Sequence, residues 1–413
     1  MYKFKLITEE KLEGIAALLL NAYPAIGYNT TIEQCTKKLI EDNKLAYLKY
    51  IGAYNGDNLV GGFNVWDFEM NFRQSMIKAG GIGSVAVDLT RKKEKICFAM
   101  MENFIEDLRK NGRNIALLYP FNSAFYYKMG YGFGTLLQQF KLRPNDLPSG
   151  NSKANIVRLT EKDAKSLTDY YNYKVKTTHG LINKAEAEFA NRLKSPAVKV
   201  FAYKNKAKVK GYLVCNFKKG SDESFLVNDL YISEMFFDSP EVFLELMTFV
   251  KSQADQVRYV IINTQDEGFI NTLSDPRNHT DRILFSVYQE CCQTGLGIMY
   301  RICDVKAFFL DIQDCSFGNL NMKVQFNIKD SFVKDNNKPF FIEFKNGKAR
   351  MIDDSADVEI NIDIAEFSSL IMGCANLKKL IKYGKAQISK AEKLEELSRA
   401  FSLDEKPVCV THF

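Results

Sequence analysis

The chain repeats itself. Residues 53–68 read AYNGDNLVGGFNVWDF and residues 202–217 read AYKNKAKVKGYLVCNF. Without a gap, Ala53, Tyr54, Gly62, Val65 and Phe68 fall on Ala202, Tyr203, Gly211, Val214 and Phe217. Each segment carries a strand, a polar turn and a second strand of alternating apolar residues, the pattern of a hairpin. The flanks rhyme as well. Lys5-Leu6-Ile7-Thr8-Glu9 and Arg158-Leu159-Thr160-Glu161 each open a strand-to-helix unit, and Thr160 with Asp163 is spaced as a capping box. Two copies of one α/β unit fit within 413 residues, each with enough chain to bury its own core.

Pro, Gly, Asn and Ser crowd the run RPNDLPSGNS at 143–152, which marks the end of the first copy. The expected domains are 1–147, 148–303 and 304–413. The third has a different rhythm. MKVQFNIKD, FFIEFKNGKARMI and ADVEINIDI read as strands with turns at Lys329-Asp330 and Asn346-Gly347. Helices are expected near 376–383 and 389–402, the second opened by Ser389 and Glu392 as a capping box.

Composition narrows the function classes. Hydrophobic residues make up 46% and charged residues 26%, so the chain is neither fibrous nor disordered. Lys plus Arg is 56 against 50 for Asp plus Glu, a net charge of +6 with no dominant basic block, so no nucleic-acid partner is expected. Acidic residues stand in the N-terminal stretch, and no apolar run approaches the ~18 residues that span a bilayer, so no membrane partner is expected either. Nine cysteines with no CxxC pair read as reduced, mostly buried residues of a cytoplasmic protein. The three histidines are far apart in sequence, and no metal site is expected.

The chemistry concentrates in the first copy. Gly80-Gly81-Ile82-Gly83-Ser84-Val85-Ala86-Val87 reads as a strand. A basic turn follows, then an amphipathic helix with Ile96, Met100, Phe104 and Leu108 at helical spacing. Helix N–H groups and lysines at such a turn suit a pyrophosphate, although a solvated charged turn reads the same way. Downstream, Ile115 to Pro120 reads as a buried strand, Asn122 to Met129 as a short helix, and Leu136 to Leu142 as a further strand. Strands that part between such helices leave a slot whose free edges can pair with the amides of a pantetheine arm.

The segments VAVDLTRKKEKICFAMM (85–101) and FYYKMGYG (125–132) resemble the acetyl-CoA-binding core of the GCN5-related N-acetyltransferases. The repeat, the GLGIMYRICD run at 295–304 and the terminal phenylalanine extend the likeness over nearly the whole chain. The branch it resembles is the Eis-like (enhanced intracellular survival) acetyltransferases. The resemblance implies an α/β (α+β) chain with two tandem folds of this kind and a closing domain like a sterol carrier protein. It implies acetyl-CoA as co-substrate, held by the backbone of Val85, Ala86 and Val87 and by the loop Lys92, Lys93, Glu94, Lys95, Ile96 and Cys97, with Asn122 in the same set. It implies Tyr126 as the acid that protonates the leaving thiolate, and the terminal carboxylate of Phe413 as the base that takes the amine proton. The acceptor is then a primary amine: a small molecule such as an aminoglycoside or a polyamine, or a lysine side chain. The family's rings of subunits imply a homo-oligomer, a hexamer.

The physics allows these roles. A terminal carboxylate ionises near ~3.5 and is a base at neutral pH, and a phenol near ~10 is reasonably matched to a thiolate near ~8.5. The segment departs from the family at four points: Leu89 stands where a proline is usual, Lys92 where an arginine is usual, Lys95 where a glycine is usual and Cys97 where a glycine or alanine is usual, which puts cofactor affinity in question. In the second copy the counterpart, Ile232 to Pro240, is acidic and aromatic, so one cofactor per chain is expected. Asp67 and Glu69 are candidates for an acidic acceptor pocket, against a plain solvated strand face. Two rival functions remain open at this level: a catalytically inactive acetyl-CoA or small-molecule binding protein, and a lipid carrier that uses the C-terminal domain.

Overall fold

The computed structural model describes residues 2–353 and 355–413. The chain divides into two compact units, one comprising residues 1–134, 298–404 and 411–413, the other Thr135–Gly297 with Glu405–Val410.

The first unit holds a seven-stranded sheet. Its strands are β1 (Lys3–Leu6), β2 (Leu48–Asn55), β3 (Asn58–Phe72), β4 (Ser75–Val87), β5 (Ile115–Leu118) and β6 (Gly132–Phe133), with Met299–Ile302 placed between β5 and β6. Every neighbouring pair is antiparallel except β4 with β5. The helices are α1 (Leu12–Ala22), α2 (Pro24–Gly27), α3 (Ile32–Asp42), α4 (Ile96–Lys110) and α5 (Ser123–Tyr127). Ile96, Met100, Phe104 and Leu108 of α4 are buried against Phe63, Val65 and Ile82 of the sheet. Burial stabilises by about 1.5–3 kcal/mol for each such side chain. Leu12, Ile15 and Leu19 of α1 and Leu39 of α3 form a second core with Leu48 and Tyr50.

The C-terminal part of this unit is a five-stranded sheet, ordered Lys348–Ile352, Phe340–Lys345, Met322–Lys329, Val358–Asp363 and Ala386–Ile388. FFIEFKNGKARMI splits into two of these strands where Asn346 and Gly347 both take positive φ. Phe309, Phe326, Phe340, Phe367 and Phe401 fill one face, each at most 3% exposed and in mutual ring contact. Arg73, at the tip of the β3–β4 hairpin, donates to the Ser316 and Phe401 carbonyls and lies over the Phe317 ring. Ser389 does not cap a helix as expected. Its Oγ accepts from the Glu359 N–H and pins the last strand, and the final helix begins only at Leu394.

The second unit's sheet runs Cys292–Gly295, Leu137–Leu142, Val257–Thr264, Asn228–Phe237, Lys208–Lys219, Lys199–Asn205 and Ile156–Arg158. Two strands therefore lie in the sheet opposite to the one their place in the chain suggests. Leu137–Leu142, read as the last strand of the first copy, belongs to the second unit. Met299–Ile302, read as the end of the second copy, belongs to the first. Each is a short run whose pattern marks a strand without naming its partner. The Thr160–Asp163 capping box forms as expected.

Candidate functional site

The site begins where β4 leaves β5. The two strands pair only from Ala79 to Gly81, opposite Ile115 to Leu117, yet β4 continues to Val87. Along Ile82–Val87 its β5-side edge has no strand partner, so backbone amides there are available to another chain-like molecule. On its other side β4 pairs with β3 through a bulge between Gly62 and Asn64, and Ser84 takes φ 51°. A non-glycine residue in the left-handed region at a bulge is a strained position of the kind that clusters at functional sites. Tyr23 reaches across to donate its hydroxyl to the Val85 carbonyl at 2.9 Å.

A cavity of about 790 Å³ opens beside this edge. Val85 and Val87 line one wall, Lys92, Lys93, Lys95, Ile96 and Cys97 another, and Tyr23, Phe98, Phe121, Asn122 and Phe125 close it. The β4–α4 loop is built to hold its shape. Asp88 accepts from the Thr90 N–H and Oγ–H, and Arg91 bonds Glu94 at 2.7 Å. That hydrogen bond holds the Glu94 carboxyl below its ordinary range and neutralises both charges. Lys92, Lys93 and Lys95 remain as surplus positive charge at the start of α4. Lys93 and Lys95 both adopt the left-handed conformation, φ 70° and 60°. Lys95 is the N-cap residue of α4, and no side chain caps the first-turn N–H groups, which carry the positive end of the helix dipole. The lysine at the glycine position thus accepts the backbone a glycine would take, at a cost of about 1–2 kcal/mol.

Tyr126 sits on α5, whose N-terminus is fixed by Asn122 accepting from the Phe125 N–H. The residue is 3% exposed, between Phe121, Phe125 and Tyr131. Burial, with Cys97 and Tyr23 adding to it, pushes its phenol well above the ordinary range, so it holds its proton.

Phe413 lies along β4 on the opposite face of the sheet from α4. A Cβ placed on Gly81 would stand 2.8 Å from the Phe413 ring, and one on Gly83 would stand 3.0 Å from the Phe413 carboxyl carbon. The ring meets Phe68 edge-on at 5.0 Å and Tyr119 at 5.4 Å, and the Tyr119 hydroxyl donates to the Thr411 carbonyl. The carboxyl group therefore rests on the residue at which β4 has just parted from β5. Asn64 stands beside it, accepting from Trp66 Nε1 and donating to Ser84 Oγ.

Residues 3–134 match the family model of the GNAT acetyltransferase domain, and residues 307–410 match that of the sterol carrier protein domain. The chain carries a GNAT acetyltransferase domain and a sterol carrier protein domain. An uncharacterised N-acetyltransferase of Streptomyces avermitilis is 33% identical over 86 residues, which span 21% of this chain and 21% of that protein. Among solved structures, a GCN5-related N-acetyltransferase from Anabaena variabilis superposes with TM-score 0.82 at 14% identity, covering 100% of both chains. One from Kribbella flavida gives 0.78 at 19% identity, covering 100% of this chain and 98% of the other. Eis1 from Mycobacterium abscessus gives 0.77 at 16% identity, again over 100% of both.

Within the GNAT domain the structure separates the three neighbouring tyrosines. Tyr127 turns away to bond Glu366 and Lys385, Tyr131 is fully buried, and Tyr126 is held beside Cys97. Cys97 lines the cavity, and burial pushes its thiol up to about 12, so it packs as a neutral thiol. Asp67 and Glu69 do not form an acceptor pocket with Phe413. Strand alternation puts Trp66 and Phe68 on the Phe413 face and Asp67 and Glu69 on the other. There Asp67 pairs with Arg113 at 2.6 Å, and Glu69 stands opposite Lys78 in the ladder. Tyr23, Asn64 and Ser84 carry no local signal in the sequence: Asn64 and Ser84 lie at the β3–β4 register shift, and Tyr23 reaches Val85 from the end of α1. Among the described residues no group of three or more His, Cys, Asp and Glu stands together as metal ligands would, and no helix is long and apolar enough to cross a membrane.

The second unit offers a different geometry at the corresponding strand end. Ser239 caps the helix Pro240–Lys251, accepting from the Val242 N–H, with Pro240 in its first turn. Asp238 is held by Tyr170 and Lys174, and Glu234 is buried against Arg192 and Lys184. A helix start that already carries its own cap and acids is poorly suited to a phosphate.

Proposed function

We propose that the chain transfers an acetyl group from acetyl-CoA to a primary amine. The observation that carries this reading is the seat of the Phe413 carboxyl group on Gly83, at the head of the unpaired edge of β4. On this reading Phe413 supplies the anionic base at the strand whose unpaired edge takes the acyl donor, although neither Phe413 nor Tyr126 lines the cavity beside that edge.

The fit to acetyl-CoA rests on three features of this chain. The unpaired edge at Val85, Ala86 and Val87 suits the pantetheine amides. The uncapped start of α4, with Lys92 to Cys97, suits the pyrophosphate, and the left-handed Lys95 keeps that loop open. Asn122 lines the same cavity from α5. Acetyl-CoA supplies an acyl group activated as a thioester. Phe413 accepts the proton that the ammonium must lose before nitrogen has a lone pair to offer. Tyr126, kept protonated by burial, donates to the sulfur as the carbon–sulfur bond breaks. We assign one cofactor to each chain, in the first unit, and a structural role to the second. The aromatic filling of the C-terminal sheet supports this assignment over a lipid carrier.

The same reading takes the protein as cytoplasmic and homo-oligomeric, a hexamer. Nine free cysteines support the compartment. The hairpin at 283–289, with Phe285 88% exposed, offers apolar surface for a neighbouring copy. Sedimentation checks the assembly, and a concentration-independent monomer refutes it.

Two measurements test the activity. Titration with acetyl-CoA should raise Tm, since a ligand of the native state stabilises by mass action. Two residues added after Phe413 should abolish thiol release in the presence of an amine while the cofactor-induced rise in Tm persists. Unchanged turnover of the extended chain removes the carboxylate from the mechanism.

A further inference from the structure

Beside the Phe413 carboxyl group the sheet is paved with aromatic rings. Trp66 lies nearly parallel to Phe68, centroids 6.1 Å apart, and meets Tyr47 at 6.0 Å. Phe68 meets Phe413, Phe413 meets Tyr119, and Tyr119 meets the exposed His412 at 5.7 Å. The rings of Tyr47, Trp66, Tyr119 and Phe413 are half-buried, so each keeps a face or an edge toward solvent. The floor stays flat because Gly81 and Gly83 stand directly across the ladder from Trp66 and Asn64. Asn64, only 4% exposed, fixes the Trp66 indole by accepting its N–H.

The charges are arranged differently from those of a polycation site. The acids nearest along the strand, Asp67 and Glu69, point to the opposite face, where Arg113, Lys49 and Lys78 match them. On the aromatic face the terminal carboxylate stands beside Asn64, and the other acid near it, Asp42, lies toward Tyr50 with its carboxyl raised by burial, which opposes its charge. One carboxylate and several ring faces suit one ammonium carried on an apolar body, because rings attract a cation electrostatically and bury flat apolar surface. A second or third ammonium on the same molecule would be desolvated there without a matching acid.

We propose that the acceptor is a primary amine borne on an aromatic or similarly flat apolar body, and that Trp66 determines this preference. The inference rests on the acetyl-transfer reading and deepens it.

The test is thiol release from acetyl-CoA with 2-phenylethylamine and with spermidine, on the full chain. A kcat/KM at least about tenfold higher for 2-phenylethylamine is expected, the size of one good aromatic or cation contact. Trp66→Ala should raise the KM for 2-phenylethylamine about tenfold, with kcat and the KM for acetyl-CoA within about twofold. Trp66→Phe should restore most of the loss, and the acetyl-CoA-induced rise in Tm serves as the check that each variant is folded. Equal or better use of spermidine overturns the inference. So does a Trp66→Ala variant whose only change is in kcat. If acetyl-CoA stabilises the protein but 2-phenylethylamine is not acetylated, the inference falls and the cofactor assignment stands. If acetyl-CoA does not stabilise the protein, the acetyl-transfer reading falls and this inference falls with it.

Discussion

Gly83 and Phe413 occupy one space. A methyl group on Gly83 would stand 3.0 Å from the Phe413 carboxyl carbon and 2.7 Å from Asn64 Oδ1. Gly83→Ala is therefore expected to shift the carboxyl group, the Asn64 amide or both. Overpacking of this kind costs about 1–3 kcal/mol of stability. Displacement of a reacting group by about an ångström lowers turnover by up to ~10²-fold. The cofactor loop is untouched, so acetyl-CoA should raise Tm as it does for the parent chain. A variant with parental kcat shows that the glycine serves packing alone.

Tyr126→Phe tests the proposed acid. Removing the hydroxyl leaves the ring in its place between Phe121 and Tyr131, so stability should change by less than about 1 kcal/mol. Turnover should fall about 10²-fold, within the usual range for a lost general acid. The pH dependence gives a second readout. Because burial raises this phenol, it stays protonated beyond the ordinary tyrosine value of ~10, and no loss of rate from its ionisation should appear below that pH. An alkaline limb at lower pH that disappears in the phenylalanine variant would contradict the assignment.

The loop at the start of α4 can be tested by salt. Lys92→Ala with Lys93→Ala should weaken acetyl-CoA binding about tenfold at low ionic strength, and the difference should shrink as salt screens the charges. Lys95→Gly should behave differently. It relieves a left-handed residue and should stabilise the fold by about 1 kcal/mol while changing the affinity less than the double variant does. A marked loss of binding in Lys95→Gly would mean that the lysine charge, and not the backbone it adopts, holds the nucleotide.

Arg301 and Asp330 are both fully buried, and the guanidinium also donates to the Met129 carbonyl, in the turn that follows Tyr126. Burial opposes ionisation of Asp330, but Arg301, the Asn336 amide and the Val333 N–H hold its carboxyl below the ordinary range. A depressed folded-state value contributes stability above the unfolded value of ~3.9, and that contribution is lost as pH falls through the folded value. Asp330→Asn should cost about 3–5 kcal/mol at neutral pH by leaving the guanidinium uncompensated. Urea unfolding at pH 7 and near pH 3 measures the gap between parent and variant. A gap that fails to narrow in acid rules out this linkage.

The sequence showed the elements of the site more clearly than their arrangement. The apolar spacing of Ile96, Met100, Phe104 and Leu108 and the basic turn before them were legible because helix periodicity and charge are local properties. The helix Ile364–Ile371 was not, since all eight of its residues are buried and no polar face marks its period. Leu137–Leu142 and Met299–Ile302 were legible as strands but not as members of a particular sheet, because pairing is decided by contacts far away in sequence. Gly80, Gly81 and Gly83 stood out as a cluster, yet their separate reasons needed coordinates. Gly80 receives the Leu108 side chain, Gly81 the Phe413 ring and Gly83 the carboxyl group.

The placing of Met299–Ile302 between β5 and β6 bears on how the protein is made. On the ribosome, the region up to Gly134 emerges long before this strand exists, and β5 meanwhile offers a bare, wholly apolar border. The seven-stranded sheet must then close late, through a pairing of high sequence separation, which slows folding. A fragment cut at residue 134, where the family match ends, would keep that border open and should aggregate when expressed alone.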